Sequence, residues 1–436
     1  MAHFGVVTPA FYSHVSAMEA LSVALLERGH RITFLHRPDA GALLKERRIG
    51  FHALGQEIYP AGSLPASLKL AANPGSIMGL RRVIRDMAQT TGMLCRELPG
   101  ALRQERIDCV LADQMEAAGG MAAEALGLPF VSVACALPVN REPGMPLPVM
   151  PFAAGQDERS LRLCEGSSKV YDWLMTPHRQ AIAAGARQLG LSPRDGLHDC
   201  LSPLLQLSQT VAGFDFPRLQ LPAHFHHVGP LRAPSGSGPG LGRDTSGAPD
   251  LAQVSRERPF VFASLGTLQG ERFALFRRIA QACRRLDAQL LIAHCGGLNA
   301  RQAEALKEAG ATWVCAFADQ QAVLARADAV VSHAGLNTAM DAIAAGTPIL
   351  ALPIAFDQPG VAARIAHAGV GLCASARWAS PGKLAAQLRR LLDEPEFVQH
   401  GAGLAASIRE AGGTARAAAL IEASLKQALA NGARFA

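Results

Sequence analysis

Two polar side chains in the first half of the sequence, His14 and Asp113, are the best candidates for proton transfer. His14 follows the apolar run Phe4–Pro9, and Asp113 follows a second apolar run, Asp108–Ala112. A neutral imidazole can take a proton from an alcohol, and a carboxylate beside it can orient the ring and stabilise its protonated form. The pair is therefore a candidate general base with a supporting acid. Alternatively, His14 starts a helix and Asp113 caps the helix that begins near Glu116.

A second set of candidates follows the apolar run Ala329–Ser332 in the other half of the chain. The run leads into a turn that contains His333 and Gly335, and a helical pattern starts near Asn337. Free amides at the start of a helix attract anions, and His333, Asn337 or Thr338 could add hydrogen bonds to a phosphate. The turn therefore predicts an anion site. Capping of the helix alone would also explain Asn337.

The elements that must position His14 and Asp113 alternate between strand and helix patterns. After the first apolar run come a helical pattern, Gly29 and a second apolar run, Arg31–Leu35. Further along, Phe130–Ala134 is a buried-strand candidate that follows a helix-like stretch from Glu116 to Leu126. This β-α-β order predicts a parallel sheet.

A break in composition separates this half from the next. Pro, Gly and Ser dominate Gly229–Ala248, so we predict an N-terminal domain at 1–228, a linker at 229–258 and a C-terminal domain at 259–436 that ends in helices. Two doubly wound domains in series would place the carboxyl ends of two sheets across one cleft. The strands predicted after the linker are Phe260–Leu265, Gln289–His294, Trp313–Phe317, Ala329–Ser332 and Ile349–Leu352.

Composition excludes several classes of protein. Of the 436 residues 49% are hydrophobic and 18% charged, which excludes a disordered chain. The net charge of +6 comes from scattered Lys and Arg, so we expect no nucleic-acid partner. The nine cysteines include no CxxC pair, which argues against a zinc cluster or a disulfide framework. Because neither a secretion signal nor a long apolar stretch is evident, we expect a cytoplasmic protein.

The residues around His333 resemble the nucleotide-sugar signature of the UDP-glycosyltransferases. That signature has a ring residue, Gln, His-x-Gly-x-Asn-[Ser/Thr], an acid, Gly-x-Pro and a final Asp-Gln. The resemblance extends from Pro9–His14 through Ala112–Met115 and Ser264–Thr267 to Ala355–Gln358. The matching positions of the signature are Phe317, Gln320, His333, Gly335, Asn337, Thr338, Asp341, Gly346, Pro348, Asp357 and Gln358.

The resemblance implies an α/β protein of GT-B fold, with two doubly wound, Rossmann-like domains that face a cleft. The N-terminal domain would hold the acceptor and the C-terminal domain the UDP-sugar. By position, Phe317 would stack on uracil, Gln320 and Asp341 would contact the ribose, and Asp357 and Gln358 would hold the sugar. His333 would contact the diphosphate and Thr267 would add a phosphate contact, and the further donor-binding candidates are Gly266, Gly335, Asn337 and Thr338.

The implied reaction is inverting transfer of glucose from UDP-glucose, with His14 and Asp113 as the catalytic pair. We expect no metal and no cofactor, because the sequence has no Asp-x-Asp motif and helix amides with His333 can meet the charge of UDP. Rival functions are a UDP-sugar epimerase and a nucleotide-sugar-binding protein without activity.

The acceptor is implied by the resemblance alone, which points to a carotenoid, zeaxanthin, glucosylated at one end and then at the other. A sterol, a macrolide or a lipid are the alternatives. Two stretches without clear periodicity, Ile58–Ala72 and Ala136–Phe152, are candidates to line an apolar acceptor channel or to contact a membrane at its periphery. Ordinary loops packed on the domain are the other interpretation of both stretches.

Overall fold

The computed structural model of the chain describes residues 1–233 and 245–430. The strands in these ranges form two sheets, one from each half of the chain. The strands of the first sheet are β1 (His3–Val7), β2 (Arg31–His36), β3 (Gly50–Ala53), β4 (Cys109–Asp113), β5 (Phe130–Ala134), β6 (Gln206–Ser208) and β7 (Phe225–His227). Those of the second are β8 (Phe260–Ser264), β9 (Gln289–Ala293), β10 (Trp313–Cys315), β11 (Ala329–Ser332), β12 (Ile349–Ala351) and β13 (Gly371–Cys373).

Helices connect the strands and cover the sheets. In the first half they are α1 (Tyr12–Leu26), α2 (Leu64–Ala72), α3 (Ile77–Gln104), α4 (Ala117–Ala125), α5 (Glu158–Leu174) and α6 (Thr176–Gln188). In the second half they are α7 (Gly266–Gln269), α8 (Phe273–Arg285), α9 (Ala300–Ala309), α10 (Gln320–Arg326), α11 (Leu336–Ala345), α12 (Gln358–His367), α13 (Pro381–Asp393), α14 (Glu396–Ala411) and α15 (Gly413–Ala430). Short 3₁₀ helices lie at Pro38–Leu43, Leu197–Cys200 and Leu251–Gln253.

Each sheet has the order of a doubly wound fold, and every pair of neighbouring strands is parallel. The first sheet runs β3-β2-β1-β4-β5-β6-β7 and the second β10-β9-β8-β11-β12-β13. In the first sheet the strand order reverses between β1 and β4, where Val7 pairs with Ala112. In the second it reverses between β8 and β11, where Ser264 pairs with Ser332. Ligands of such folds bind at these switch points, and the predicted fold class is confirmed.

Most strands that the sequence predicted are buried along their whole length; the exceptions are β2, where Arg31 is exposed, and β10, where Trp313 is half-buried. The apolar runs of β4, β5, β8 and β11 lie between helices on both faces of their sheets, which explains why they lack polar alternation. The structure ends β10 two residues earlier than predicted. It also corrects the prediction for Ile58–Ala72, because Leu64–Ala72 of that stretch forms the helix α2.

The last helix crosses back to the first half of the molecule. Ala417, Ala418 and Ile421 of α15 belong to the same buried cluster as Phe4 of β1 and Met18 of α1. The end of the chain, which the sequence predicts to be helical, is therefore a helix that packs against β1 and α1 of the first half. Part of the predicted linker, residues 234–244, lies outside the described residues, and the predicted domain boundaries stay predictions.

None of the helices in the described ranges is both long enough and apolar enough to span a bilayer.

Candidate active site

A large cleft, with a volume of about 1830 Å³, lies between the carboxyl ends of the two sheets. Both halves of the chain line it, as expected when two switch points face each other. Of the residues predicted to form the site, all but Asp113 line the cleft. Asp113 lies beneath its wall, fully buried behind His14.

His14 and Asp113 form a hydrogen-bonded pair, as the sequence analysis proposed. Nδ1 of His14, in the first turn of α1, lies 2.6 Å from Oδ2 of Asp113 at the end of β4. Thr8 donates to the same oxygen at 3.0 Å, and the Met115 amide donates to Oδ1 at 3.0 Å. Because the carboxylate accepts from Nδ1–H, the ring keeps Nε2 free to accept a proton on its other side.

The surroundings of His14 increase its basicity. Burial lowers the pKa of His14, but the Asp113 charge, the hydrogen bond to it and the Asp357 charge outweigh burial and raise the pKa above its usual value. Burial in turn raises the pKa of the Asp357 carboxyl, against the opposing effects of His14 and of the Leu137 backbone. His14 of the first half and Asp357 of the second therefore interact electrostatically across the cleft.

Cys135 is the nearest further side chain that could take part in metal binding. One ligand atom each of His14, Asp113 and Cys135 lie within 4.8 Å of one another. Burial, and then the Asp113 carboxylate, raise the pKa of the Cys135 thiol well above its usual range. Because a thiol must lose its proton to bind a metal, this donor set fits a hydrogen-bonded His–Asp pair better than a metal centre.

Two glycines hold the ring of His333 between them. A Cβ added at Gly266 would lie 2.7 Å from Nε2 of His333, and one added at Gly335 would lie 2.5 Å from the same atom. Gly266 also has a φ of +73°, a conformation that other residues rarely adopt. Burial lowers the pKa of His333 to about 4, so the ring is neutral. At a phosphate it can donate one hydrogen bond but brings no charge.

The two residues assigned to the ribose are bonded to each other. Nε2 of Gln320 donates to Oδ2 of Asp341 at 2.7 Å, and Thr338 donates to Oε1 of Gln320 at 3.3 Å. Phe317 precedes them at the end of β10 and lines the same wall. These side chains form one polar edge of the cleft, at the start of α10 and along α11.

Arg232 completes this edge, and the sequence analysis missed it. Its Nε donates to Oδ1 of Asp341 at 2.8 Å, and its Nη2 donates to the Asn337 carbonyl oxygen at 2.9 Å. Arg232 lines the cleft next to the Pro- and Gly-rich stretch, where no spacing distinguishes it. The ion pair with Asp341 and the bond to Asn337 hold this edge of the cleft in place.

Asn337 connects the two halves of the molecule. Its side-chain amide donates to the Ser13 carbonyl oxygen at 3.1 Å, and its Oδ1 accepts from Gln209 at 2.8 Å. Gly335, and not Asn337, is the N-cap of α11. The side chain therefore ties the start of α11 to the turn that carries His14.

The turn before α12 places Asp357 near His14. Oε1 of Gln358 accepts from the amides of Ile354 and Ala355, both at 2.8 Å, and so closes this turn. Phe356, at its tip, has a φ of +57°, and its ring centroid lies 5.9 Å from that of Phe11. Phe11 is the N-cap of α1. This aromatic pair spans the cleft beside His14.

The wall on the side of the first half is largely apolar, with one polar cluster. Oε1 of Glu116 accepts from Thr91 at 2.9 Å and from the Ala118 amide at 3.1 Å, and Thr91 lies 3.1 Å from Nε2 of His178. Burial raises the pKa of Glu116 to about 7 and lowers that of His178 to about 4. The sequence analysis missed these residues, because α3, α4 and α6 bring them together from distant positions.

The two stretches proposed to line an acceptor channel differ in the structure. Several apolar side chains of Ala136–Phe152 are buried, among them Leu137 and Leu147. In Ile58–Ala72, the helix α2 contributes Leu68 to the cleft wall, and the carbonyl oxygen of Ala72 accepts from Gln269 in the other half at 3.0 Å. Both stretches contribute residues to the cleft.

Comparison with known proteins agrees with this architecture. Residues 271–411 match the glycosyltransferase family 28 C-terminal domain. A zeaxanthin glucosyltransferase of Pantoea ananas is 49% identical over 97% of this chain and 96% of its own, and one of Pseudescherichia vulneris is 45% identical over 98% of each. The solved structure of the glycosyltransferase of kitacinnamycin superposes with a TM-score of 0.72 at 20% identity, covering 97% of this chain and 99% of that one. Its likeness shows the GT-B fold.

Proposed function

Since the chain belongs to the glycosyltransferase family that includes the zeaxanthin glucosyltransferases, we propose that it transfers glucose from UDP-glucose to a hydroxyl of zeaxanthin, with inversion. The observation that carries this proposal is the position of His14. Its ring lines the same cleft as the polar groups of the second half, and its Nδ1 is occupied by Asp113. The proposed base and the proposed site for the sugar donor therefore line the same cleft.

In the proposed reaction, Nε2 of His14 takes the proton of the acceptor hydroxyl as the oxygen attacks the anomeric carbon of glucose. The bond between that carbon and the UDP oxygen breaks, and UDP leaves with the electron pair. A single displacement of this kind inverts the configuration at the carbon. Asp113 stabilises the imidazolium that forms, and the proton leaves to solvent afterwards.

The leaving group is negatively charged, and the second half supplies groups that suit it. The amides at the start of α11 and the neutral ring of His333 can donate to the diphosphate. Arg232 lines the same wall, but its charge is paired with Asp341 at 2.8 Å, so the amides and His333 provide the proposed contacts to the diphosphate. These groups support our expectation that no metal and no cofactor is needed.

The rest of the nucleotide sugar is assigned by position along the cleft. Phe317 offers a ring face to uracil, and the edge formed by Gln320 and Asp341 can accept and donate hydrogen bonds at the ribose. Asp357 acts electrostatically on His14, Gln358 follows it at the start of α12, and both are assigned to the sugar hydroxyls. Thr267, exposed at the cleft wall, is assigned to a phosphate oxygen.

The acceptor is an apolar diol in this proposal, and only one of its ends can be at His14 at a time. The apolar wall formed by α2, α3 and α6 suits a long hydrocarbon. Because the second end is chemically equivalent to the first, the monoglucoside should accumulate and then be consumed to the diglucoside. Such an acceptor resides in lipid, so we propose a cytoplasmic protein that contacts the membrane at its periphery.

The test is mass spectrometry of products from zeaxanthin with UDP-glucose, compared with UDP-galactose and with sterol and macrolide acceptors. We expect zeaxanthin monoglucoside, then diglucoside, with UDP-glucose preferred. Glucosylation of a sterol or macrolide in place of zeaxanthin would refute the acceptor, and a time course that stops at monoglucoside with donor in excess would refute the end-by-end pocket. Epimerisation of UDP-N-acetylglucosamine without acceptor would refute the transferase reaction itself.

A further inference from the structure

The first turn of α3 exposes large apolar side chains to solvent. Ile77 is 71% exposed and Met78 59% exposed, although a soluble surface gains nothing from such residues side by side. Leu80, one turn along, is 38% exposed and also lines the cleft. The cleft therefore reaches the surface at Leu80, beside the exposed side chains of Ile77 and Met78.

Positively charged side chains follow these apolar residues along α3. Arg81, Arg82 and Arg85 follow in the next turns of α3 and are exposed. The stretch Ile58–Arg85, which includes α2 and the start of α3, contains these three arginines and Lys69 but no Asp or Glu. The segment thus combines exposed apolar residues with charge of one sign.

The geometry of α3 makes this segment project from the domain. At 1.5 Å per residue the 28 residues of α3 span about 42 Å. The five residues of β4, the strand that follows it, span only about 17 Å. Because α3 ends near the start of β4 and runs against it, its first turns extend beyond the carboxyl edge of the sheet, at the level of the cleft.

We propose that residues 77–85, the α3 tip, dock on a bilayer that contains anionic lipid, and that the apolar acceptor enters the cleft from the bilayer beside Leu80. The occupant is a lipid surface because its phosphates complement the arginines while its acyl region takes Ile77 and Met78. The proposal rests on the apolar acceptor of the proposed function. The proposed membrane contact lies outside Ile58–Ala72 and Ala136–Phe152, the two stretches for which the sequence predicted such a contact.

Cosedimentation of the full chain with vesicles tests the contact. Vesicles of phosphatidylcholine are compared with vesicles that also contain phosphatidylglycerol, for the wild type and for two double variants, Ile77→Asn with Met78→Asn and Arg81→Gln with Arg82→Gln. The matched controls are Leu219→Asn, also 71% exposed but next to β7 at the opposite edge of the sheet, and Arg284→Gln with Arg285→Gln, an exposed pair at the end of α8.

We expect binding that needs phosphatidylglycerol and is released by salt, with each tip variant about tenfold weaker and both controls unchanged. Tip variants that bind like the wild type, or controls that weaken binding equally, would overturn the proposal. So would a wild type that does not bind anionic vesicles. A change of oligomeric state in the tip variants, with vesicle binding unchanged, would assign the tip to a second copy of the chain.

A second measurement separates loading of the acceptor from the reaction itself. With acceptor in detergent micelles, the tip variants should keep the wild-type rate, because none of the four substituted residues lines the cleft. With acceptor in anionic vesicles, the same variants should be about tenfold slower. Equal slowing in micelles would overturn the loading role. If even the wild type fails to glucosylate the acceptor in micelles, the proposed function fails, while vesicle binding still decides the docking surface.

Discussion

In the second half of the chain most residues that line the cleft lie within 317–358, with others at the turn at Gly266, and Arg232 lies beside them. Polar atoms of this wall are bonded to one another, and glycines that cannot carry a side chain confine the ring of His333. In the first half the wall comes from elements spread over the sequence, among them α1, the neighbouring helices α2 and α3, and α6, and most of its surface is apolar. His14 and Asp113 lie at the border between these two walls.

This difference has a consequence for substitutions. A wall of fixed polar atoms fits one ligand geometry, so small changes there should lower donor affinity or rate sharply. An apolar wall tolerates changes of shape, and its substitutions should mainly alter acceptor selection.

The largest effect is expected at the border. His14→Ala removes the group that takes the acceptor proton, and kcat should fall by about 10²–10⁴. UDP binding, measured by calorimetry, should be nearly unchanged, because the substitution leaves intact the cleft wall of the second half, which we call the donor wall. Wild-type turnover in this variant would remove His14 from the mechanism.

Asp113→Asn tests the partner through pH. The charge of Asp113 and its hydrogen bond raise the pKa of His14, and the base is active only when it is neutral. The acid limb of kcat/KM in the wild type should therefore lie above pH 6.5, the usual value for histidine. In the variant it should move to lower pH, and the rate should fall by about 10²-fold or more. An acid limb that does not move would contradict the dyad.

The sequence predicted what depends on local order and long apolar runs. Phe130–Ala134 and Ala329–Ser332 match their strands to the residue, because a buried parallel strand must be apolar throughout. The short strands β3, β6, β7 and β13 were not predicted. They have only three or four residues, β3, β6 and β7 include polar side chains, and β13 begins with glycine, so tertiary pairing and not local pattern determines them.

The same distinction applies to the site. His14 and Asp113 were predicted to meet because β1 and β4 end at one edge, and they do meet. The contacts of Arg232 and the Glu116 cluster were not predicted, because they depend on side-chain reach across elements that no spacing relates. The roles of the donor residues stay predictions, although the structure places them on one wall.

Gly266→Ala tests how strictly the donor wall is defined. Its Cβ would clash with His333, and we expect the donor KM to rise by about tenfold or more. Gly346→Ala is the matched control, since its φ of +74° is nearly the same but nothing lies within 4 Å of its Cβ. Both variants should lose about 1–2 kcal/mol of stability from backbone strain, and only the first should lose donor affinity. If the two variants had the same donor KM, close contact with Gly266 would not be what fixes the position of the His333 ring.

Glu116→Gln tests the other wall. With a pKa of about 7, the carboxyl gains its charge as the pH rises through neutrality, and a charge in an apolar cavity disfavours an apolar acceptor. The acceptor KM of the wild type should therefore rise above pH 7, by about threefold, while that of the variant stays flat. The donor KM should not change in either protein. A variant with a changed donor KM would break the separation between the two walls.

The smallest effect is expected at Cys135. With His14 and Asp113, at the border between the two walls, it forms a group of side chains that resembles a metal site. Cys135 lies within 4.8 Å of the ligand atoms of His14 and Asp113, but its thiol holds its proton because burial and Asp113 raise its pKa. If the base works as a His–Asp pair, Cys135→Ser and treatment with EDTA should each leave kcat within about twofold of the untreated wild type. Activity that EDTA removes and a divalent cation restores would assign the charge of the leaving UDP to a metal. If Cys135→Ser also abolished that restoration, the metal would lie at the border itself; if it did not, the metal would belong to the donor wall, which Asp319, Asp341 and Asp357 line with carboxylates.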